Sequence, residues 1–243
     1  MKKYTQVVRR VVSGKQIVMF PFGGGSGYSY MPIINQLPKD IEVIVINPPG
    51  HMINGGKPFE NIPEMVYWYS KELRLLLRDK PLFFGHSIGG GIAYETAKEL
   101  KNSIPITNIV ISSILPPHCI MDTVDLRSDM DTELLIQKCS QMGGLPEIFK
   151  AEEVLLEGFL IGLRGDLKAL ENYSASPQGL PHKLDIAATM LYSDNDYIVD
   201  LDKLKQWDRY LDVRTSIPFK GDHFYLFEES NCRTVARILA EQT

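Results

Sequence analysis

Short apolar segments rich in β-branched and aromatic residues recur along the chain. Unbroken apolar character over so short a length is typical of strands that are buried on both faces of a sheet. The segments predicted as strands are residues 16–22, 42–47, 82–84, 108–112, 188–192 and 213–219.

The longer segments between these strands carry apolar residues at helical spacing. Residues 63–78 show it best, since Met65, Tyr69, Leu73 and Leu76 recur every three or four positions. Residues 92–100 and 201–211 are also predicted as helices. Strand and helix thus alternate, which predicts an α/β fold with a mostly parallel central sheet and helices on both faces. Ligands bind such sheets at the carboxyl ends of the strands.

The alternation stops between residues 116 and 184. Polar helical stretches at 131–142 and 151–173 replace it, broken by Gly143, Gly144 and Pro146, without a convincing strand. We predict one domain over residues 1–243 with residues 116–184 inserted as a helical lid. A separate second domain fits less well, because the stretch is short and the alternation resumes after it.

Composition narrows the classes of function. The 243 residues carry a net charge of -4 with dispersed basic residues, which argues against a nucleic-acid-binding face. Three cysteines without metal-ligand spacing argue against a disulfide scaffold or a zinc site and favour a reducing compartment. The N-terminus lacks a long apolar stretch. We expect a cytoplasmic protein, monomeric, with no membrane, metal or cofactor requirement.

The most informative motif is Gly85-His86-Ser87-Ile88-Gly89, which follows an apolar run and precedes a predicted helix. A Gly-x-Ser-x-Gly sequence in this setting is typical of a nucleophile elbow, a sharp strand-to-helix turn that exposes the serine. Ser87 is therefore the candidate nucleophile. The same pentapeptide also occurs as an ordinary glycine turn, so the assignment depends on finding catalytic partners.

A serine nucleophile needs a histidine to accept its proton and an acid to orient that histidine. Of the three histidines after Ser87, only His223 directly follows a late strand, so it is the predicted general base. Asp194 and Asp196 both follow the strand at 188–192. Alternation along the strand does not separate them; Asp196 is preferred and Asp194 is the alternative. Asp222 is expected to be structural, because it is adjacent to the histidine.

Such chemistry also needs donors for the oxyanion. Ile88 can supply its backbone amide, and residues 20–26, here called the glycine loop, can supply a second amide, with Gly23 the preferred donor. A phosphate-binding function is the alternative for this loop. It is disfavoured because no Gly-Lys-Ser/Thr follows, and Tyr28 occupies a position where a dinucleotide fingerprint needs glycine.

With these residues assembled, the chain resembles the type II thioesterases, stand-alone α/β-hydrolases that accompany non-ribosomal peptide and polyketide synthases. The segments similar to that family are the glycine loop, residues 85–90, 112–118, 163–166, 171–173 and 221–226. The resemblance favours Asp196 over Asp194 as the acid. Two positions depart from the family: His51 stands where arginine is usual, and Ser193 stands where glycine is usual.

The resemblance implies hydrolysis of acyl or aminoacyl groups from the phosphopantetheine arm of carrier protein domains of a synthase. Ser87 would form the acyl-enzyme, His223 would activate water and Asp196 would orient the imidazole. It also implies a lid that opens, with glycines 143, 144 and 165 as expected points of flexing. A small-molecule esterase or lipase, an acyltransferase and a non-catalytic carrier-binding protein are the alternatives that the sequence leaves open.

Overall fold

The computed structural model of the protein describes residues 4–12, 14–52, 54–122, 124–143, 152–175 and 183–243. Over these residues the chain forms a seven-stranded sheet in the order β1-β3-β2-β4-β5-β6-β7. The strands are β1 (Thr5–Arg9), β2 (Gln16–Phe20), β3 (Glu42–Ile46), β4 (Leu82–His86), β5 (Asn108–Ser112), β6 (Ala187–Ser193) and β7 (Asp212–Phe219). Strand β1 pairs antiparallel with β3, and every other pair is parallel. The predicted mostly parallel sheet is confirmed.

Helices cover both faces of the sheet. They are α1 (Met31–Ile34), α2 (Ile62–Leu73), α3 (Ile88–Leu100), α4 (Thr132–Gln141), α5 (Glu153–Ala175), α6 (Leu201–Leu204) and α7 (Glu229–Gln242). One apolar core joins the sheet to α2, α3, α4 and α5, and a second core joins it to α1 and α7. The central strand β4 is fully buried, with Phe83 in the first core and Phe84 in the second.

Several elements differ from the expectations. The sequence pattern missed β1, a half-exposed edge strand, and the helices α1 and α7. The predicted helix over 201–211 is divided into α6 and a 3₁₀ helix, Lys205–Arg209. Helix α2 ends at Leu73 because the amides of Leu75 and Leu76 bond three residues back, which tightens the last turn.

The helices predicted between β5 and β6 are present as α4 and α5. Asp131 caps α4, since its carboxylate accepts hydrogen bonds from the amides of Glu133 and Leu134. Between Ser112 and Ala187, no described residue belongs to a strand. The limits of the predicted lid stay a prediction; Gly144, Pro146 and Ala151 lie outside the described residues.

Arg164 of α5 ties the two helical segments together. Its guanidinium donates to the carbonyls of Ser128 and Met130 and to the hydroxyl of Thr132 at the start of α4. Gly165, expected as a point of flexing, lies inside α5, and a Cβ there would be 2.3 Å from Pro58 Cβ. Its missing side chain therefore allows close packing and does not indicate a hinge.

No helix within the described ranges is both long enough and apolar enough to span a bilayer.

The glycines of the Gly-x-Ser-x-Gly motif are required by close backbone contacts. A Cβ at Gly85 would lie 2.2 Å from the carbonyl oxygen of Gly89, and one at Gly89 would lie 2.2 Å from that of Phe20. Because both contacts would be with backbone atoms, rotation of a neighbouring side chain could not relieve either clash. The elbow therefore brings the start of α3 directly against the end of β2.

Gly89→Ala is expected to destabilise the protein by about 3 kcal/mol, the upper part of the usual range for overpacking, because the clash is with backbone. Urea denaturation would measure the free energy of unfolding. Gly91→Ala is the matched control in the same helix, since its Cβ would meet only the end of the Ile120 side chain, at 3.2 Å. Equal stability of the two variants would contradict this account of the elbow.

Candidate active site

Ser87 lies at the turn between β4 and α3 in a backbone conformation that non-glycine residues rarely adopt. Its φ is 54° and its ψ is -136°. The Ser87 amide donates a 2.8 Å hydrogen bond to the carbonyl of Ser112 at the end of β5, which holds the turn in place. The positive end of the α3 dipole is adjacent, so a negative charge developing at this point is stabilised.

Asp196 and His223 form a buried pair. His223 Nδ1 lies 2.7 Å from Asp196 Oδ2, and neither side chain is exposed to solvent. Since a carboxylate only accepts, Nδ1 carries the proton and Nε2 is the nitrogen left to act as a base. Asp196 Oδ1 accepts the Ile198 amide at 3.2 Å, which fixes the carboxylate.

The other two carboxylates near this pair do not contact the imidazole. Asp194, the alternative acid, is exposed. Asp222 is also exposed, and its carboxylate accepts the Phe224 amide in the turn that presents the histidine. The structure thus brings His223 together with Asp196, the preferred acid.

His223 Nε2 is buried and has no hydrogen-bond partner among the described residues. Ser87 Oγ is therefore not bonded to it in this state. Hydrogen bonds of this kind are often long in enzymes without substrate and shorten in the complex.

Ser193 connects the loop that carries the acid to the loop that carries the histidine. Its hydroxyl donates to the Gly221 carbonyl and accepts the Asn195 amide. A glycine at position 193, which is usual in similar sequences, would lack this link. The departure noted in the sequence thus leaves the Asp196 carboxylate in place and adds a contact between the two loops.

His86 packs behind the His223 ring, with 4.8 Å between the ring centroids, and its Nδ1 bonds to the Ser112 hydroxyl at 2.9 Å. Burial, reinforced by the neighbouring His223, holds the pKa of His86 well below its ordinary value. His86 is therefore neutral near pH 7 and adds no positive charge beside His223.

Two candidate donors for an oxyanion lie next to the serine. Gly23 and Ile88 line the same cavity as Ser87. Ile88 is the first residue of α3, so its amide has no acceptor within the helix. In the glycine loop, the Gly24 amide donates to Asp166 and the Gly25 amide to the Phe22 carbonyl. Gly23 is the glycine of the three that lines the cavity.

The cavity is otherwise mostly apolar. Its walls come from the segment after β5, from α4 and α5, and from the loop after Asp196. The apolar lining residues include Ile114, Leu115, Ile120, Val124, Leu126, Met142, Phe159, Leu163, Leu167, Leu170, Ile198 and Val199. Such a space accepts an aliphatic chain and disfavours a charged group that finds no partner.

A second buried pair was not found from the sequence. His51 Nε2 lies 2.8 Å from Asp166 Oδ2, and both side chains are buried. Without the family pattern, Asp166 and Arg164 would be interpreted as exposed helix charges. The only signal at position 51 was the departure from arginine in the resembling family.

One of the two remaining histidines is outside this arrangement. His118 is exposed, bonds to Gln206 and Tyr210, and does not line the cavity. His182 lies outside the described residues.

Comparison with known proteins identifies the family. A family model described as a thioesterase domain matches residues 15–243. The chain belongs to the thioesterase family. The predicted α/β-hydrolase fold and the predicted class of enzyme, a thioester hydrolase, are thereby confirmed.

This thioesterase is similar to curated proteins over most of its length. It is 26% identical over 234 residues to thioesterase PikA5 of Streptomyces venezuelae, covering 89% of this chain and 77% of that protein. It is 25% identical to the gramicidin S biosynthesis protein GrsT of Aneurinibacillus migulanus, covering 93% and 90%.

Among solved structures, the thioesterase is similar to the type II thioesterase BorB from the borrelidin biosynthetic cluster. The TM-score is 0.83, with 25% identity and coverage of 98% of this chain and 97% of that one. The resemblance to type II thioesterases stated from the motifs is confirmed.

Proposed function

We propose that this chain is a type II thioesterase that removes acyl or aminoacyl groups from the phosphopantetheine arm of carrier proteins. Its setting would be non-ribosomal peptide or polyketide synthesis, where it acts as a cytoplasmic monomer on stalled or wrongly loaded modules. The single observation that carries the proposal is the cavity that places Ser87, Gly23 and Ile88 together in a chain of this family. The similarity to a gramicidin S biosynthesis protein and to a type II thioesterase of the borrelidin biosynthetic cluster supports the biosynthetic setting.

The proposed reaction has two stages. In the first, Ser87 Oγ attacks the thioester carbon while His223 Nε2 takes its proton, and the amides of Gly23 and Ile88 stabilise the oxyanion. The carbon–sulfur bond then breaks, and His223 returns the proton to the pantetheine sulfur. Asp196 holds the imidazole in the tautomer that leaves Nε2 free and stabilises the imidazolium that forms.

In the second stage, water replaces the thiol. His223 takes a proton from the water, whose oxygen attacks the acyl-serine carbon. The bond to Ser87 Oγ breaks, the serine regains its proton and the free acid leaves. These steps use side chains and backbone amides of this chain together with water from the solvent.

The apolar cavity walls lead us to propose a preference among acyl groups. A neutral aliphatic chain buries its methylenes there, each contributing about 0.8 kcal/mol. A carboxylate-bearing group would lose hydration without a cationic partner among the described lining residues and would also meet Asp166, which lines the same cavity. Aliphatic acyl groups are therefore the proposed preferred substrates.

A panel of one carrier protein loaded with octanoyl, acetyl, leucyl and aspartyl groups tests the proposed carrier-bound substrate and the proposed preference for aliphatic acyl groups. We expect kcat/KM to be at least tenfold higher for octanoyl than for aspartyl. The same octanoyl group on free pantetheine is the matched control for the carrier, and an octanoyl aryl ester tests the esterase alternative. Hydrolysis of the aryl ester as fast as that of the loaded carrier would contradict the proposed function. Mass spectrometry of the products separates hydrolysis from acyl transfer.

A further inference from the structure

Three segments of the protein meet at the buried Asp166 carboxylate. Asp166 belongs to α5, and its Oδ2 accepts the amide of Gly24 in the glycine loop at 2.8 Å. The same oxygen lies 2.8 Å from His51 Nε2. His51 follows the turn at Pro49, and its ring packs on α5, where a Cβ at Gly162 would be only 2.7 Å from the ring.

With Asp166 ionised, the contacts of His51 require two ring protons. His51 Nδ1 lies 3.0 Å from the Pro49 carbonyl oxygen, which can only accept, so Nδ1 carries a proton. The Asp166 carboxylate also only accepts when ionised, so Nε2 must carry the other. A neutral imidazole has one N–H and satisfies just one of these acceptors. The geometry is therefore that of an imidazolium against a carboxylate.

The surroundings agree with that charge. Burial lowers the pKa of His51, but the charge and hydrogen bond of Asp166 and the Pro49 carbonyl outweigh it, so the pKa is raised. Two tyrosines are also nearby: Tyr28 lines the same crevice as His51, and the charge of Asp166 acts on Tyr69 of α2. Burial, and then the charges of Asp166, Tyr4, Glu72 and Glu64, raise the pKa of Tyr69 well above its ordinary value, so it stays neutral.

We propose that His51 and Asp166 are positioning residues whose shared proton fixes the glycine loop for catalysis. While His51 is an imidazolium, it holds the Asp166 carboxylate against the Gly24 amide, and Gly23 is thereby kept in place beside Ser87. When pH rises and His51 loses its proton, either the Pro49 carbonyl or the Asp166 carboxylate faces a nitrogen lone pair. The junction then loosens, and the oxyanion donor at Gly23 is less well placed. The proposal rests on the proposed function, because it takes Gly23 as that donor.

The first test is the pH dependence of kcat, corrected at each pH for uncatalysed thioester hydrolysis. The wild type is expected to lose about tenfold in kcat on the alkaline side, less than the roughly 10²–10³ for complete loss of a donor, with KM little changed. His51→Arg, which keeps a cation at any of these pH values, should remove the alkaline fall. Asp166→Asn should move the fall to lower pH, because the attraction for the proton is gone. A merely structural pair would lower activity evenly across the pH range, and an unaltered alkaline fall in both variants would overturn the proposal.

The second test uses no substrate and does not require the His51→Arg variant to fold. NMR of the wild-type protein follows the ring nitrogens of His51, assigned by comparison with His51→Gln, together with the Gly24 amide proton. We expect the Gly24 resonance to titrate with the same midpoint as His51, and that midpoint to match the alkaline fall in kcat. A Gly24 amide that is indifferent to the ionisation of His51 would refute the coupling. Because no substrate is present, this result does not depend on whether carrier-bound acyl groups are the substrates.

Discussion

Ser87→Ala is expected to lower kcat for thioester hydrolysis by about 10⁶, the loss seen when the nucleophile of a working serine triad is removed. The alanine still leaves the proposed oxyanion donors at Gly23 and Ile88, so the remaining rate reports on binding and the oxyanion site alone. Stopped-flow and end-point assays on an acylated carrier protein would cover the range of rates. A serine-directed phosphonofluoridate should label the wild type once and the variant not at all, as measured by intact mass.

Ser103→Ala is the matched control for this variant. It removes a hydroxyl that bonds to the Leu100 carbonyl beyond the end of α3, away from the cavity. We expect its kcat to stay within twofold of the wild type. An S87A protein that retained a tenth of the activity, while folded by circular dichroism, would eliminate the acyl-enzyme mechanism.

Asp196→Asn is expected to lower kcat by about 10³–10⁴, with KM changed far less. The amide can donate to His223 Nδ1, which would move the ring proton to Nε2 and leave no lone pair to accept the proton of Ser87. The ring would also lose the anion that stabilises its protonated form. Steady-state kinetics across the pH range, on the same loaded carrier protein, would measure both effects.

Asp194→Asn makes the same chemical change two residues away on an exposed side chain. We expect its kcat to remain within threefold of the wild type. The pair of variants thus separates the two acids that strand alternation could not distinguish. A larger loss of kcat for Asp194→Asn than for Asp196→Asn would show that Asp194, and not Asp196, is the catalytic acid.

Much of the sheet could be predicted because strands such as β4 are apolar on both faces, and burial requires that pattern. Strand β1 could not be, since Thr5–Arg9 is half-exposed at the edge and is stabilised by pairing with β3, which the local pattern does not encode. The division of the helix after Asp200 likewise depends on tertiary packing, with Trp207 fully buried in the first core.

Ser87, His223 and the preferred Asp196 could be proposed from the sequence because each follows a strand, and strand ends of a parallel sheet meet at one edge. The His51–Asp166 pair could not, because its members are 115 residues apart and neither follows a strand directly. Direct contact in the folded chain makes these two side chains a charged pair, and this contact depends on how α5 lies over the glycine loop. A local pattern contains no information on that placement.

The contacts at Gly85 and Gly89 limit how a gene for this enzyme can change. The smallest possible mutation, from glycine to alanine, meets backbone oxygen at 2.2 Å at both sites. His86 is fully buried between Ser112 and His223, so its codon has little freedom either. Within the pentapeptide, neutral drift over generations is therefore confined to Ile88, because its proposed catalytic group is a backbone amide that any residue except proline possesses.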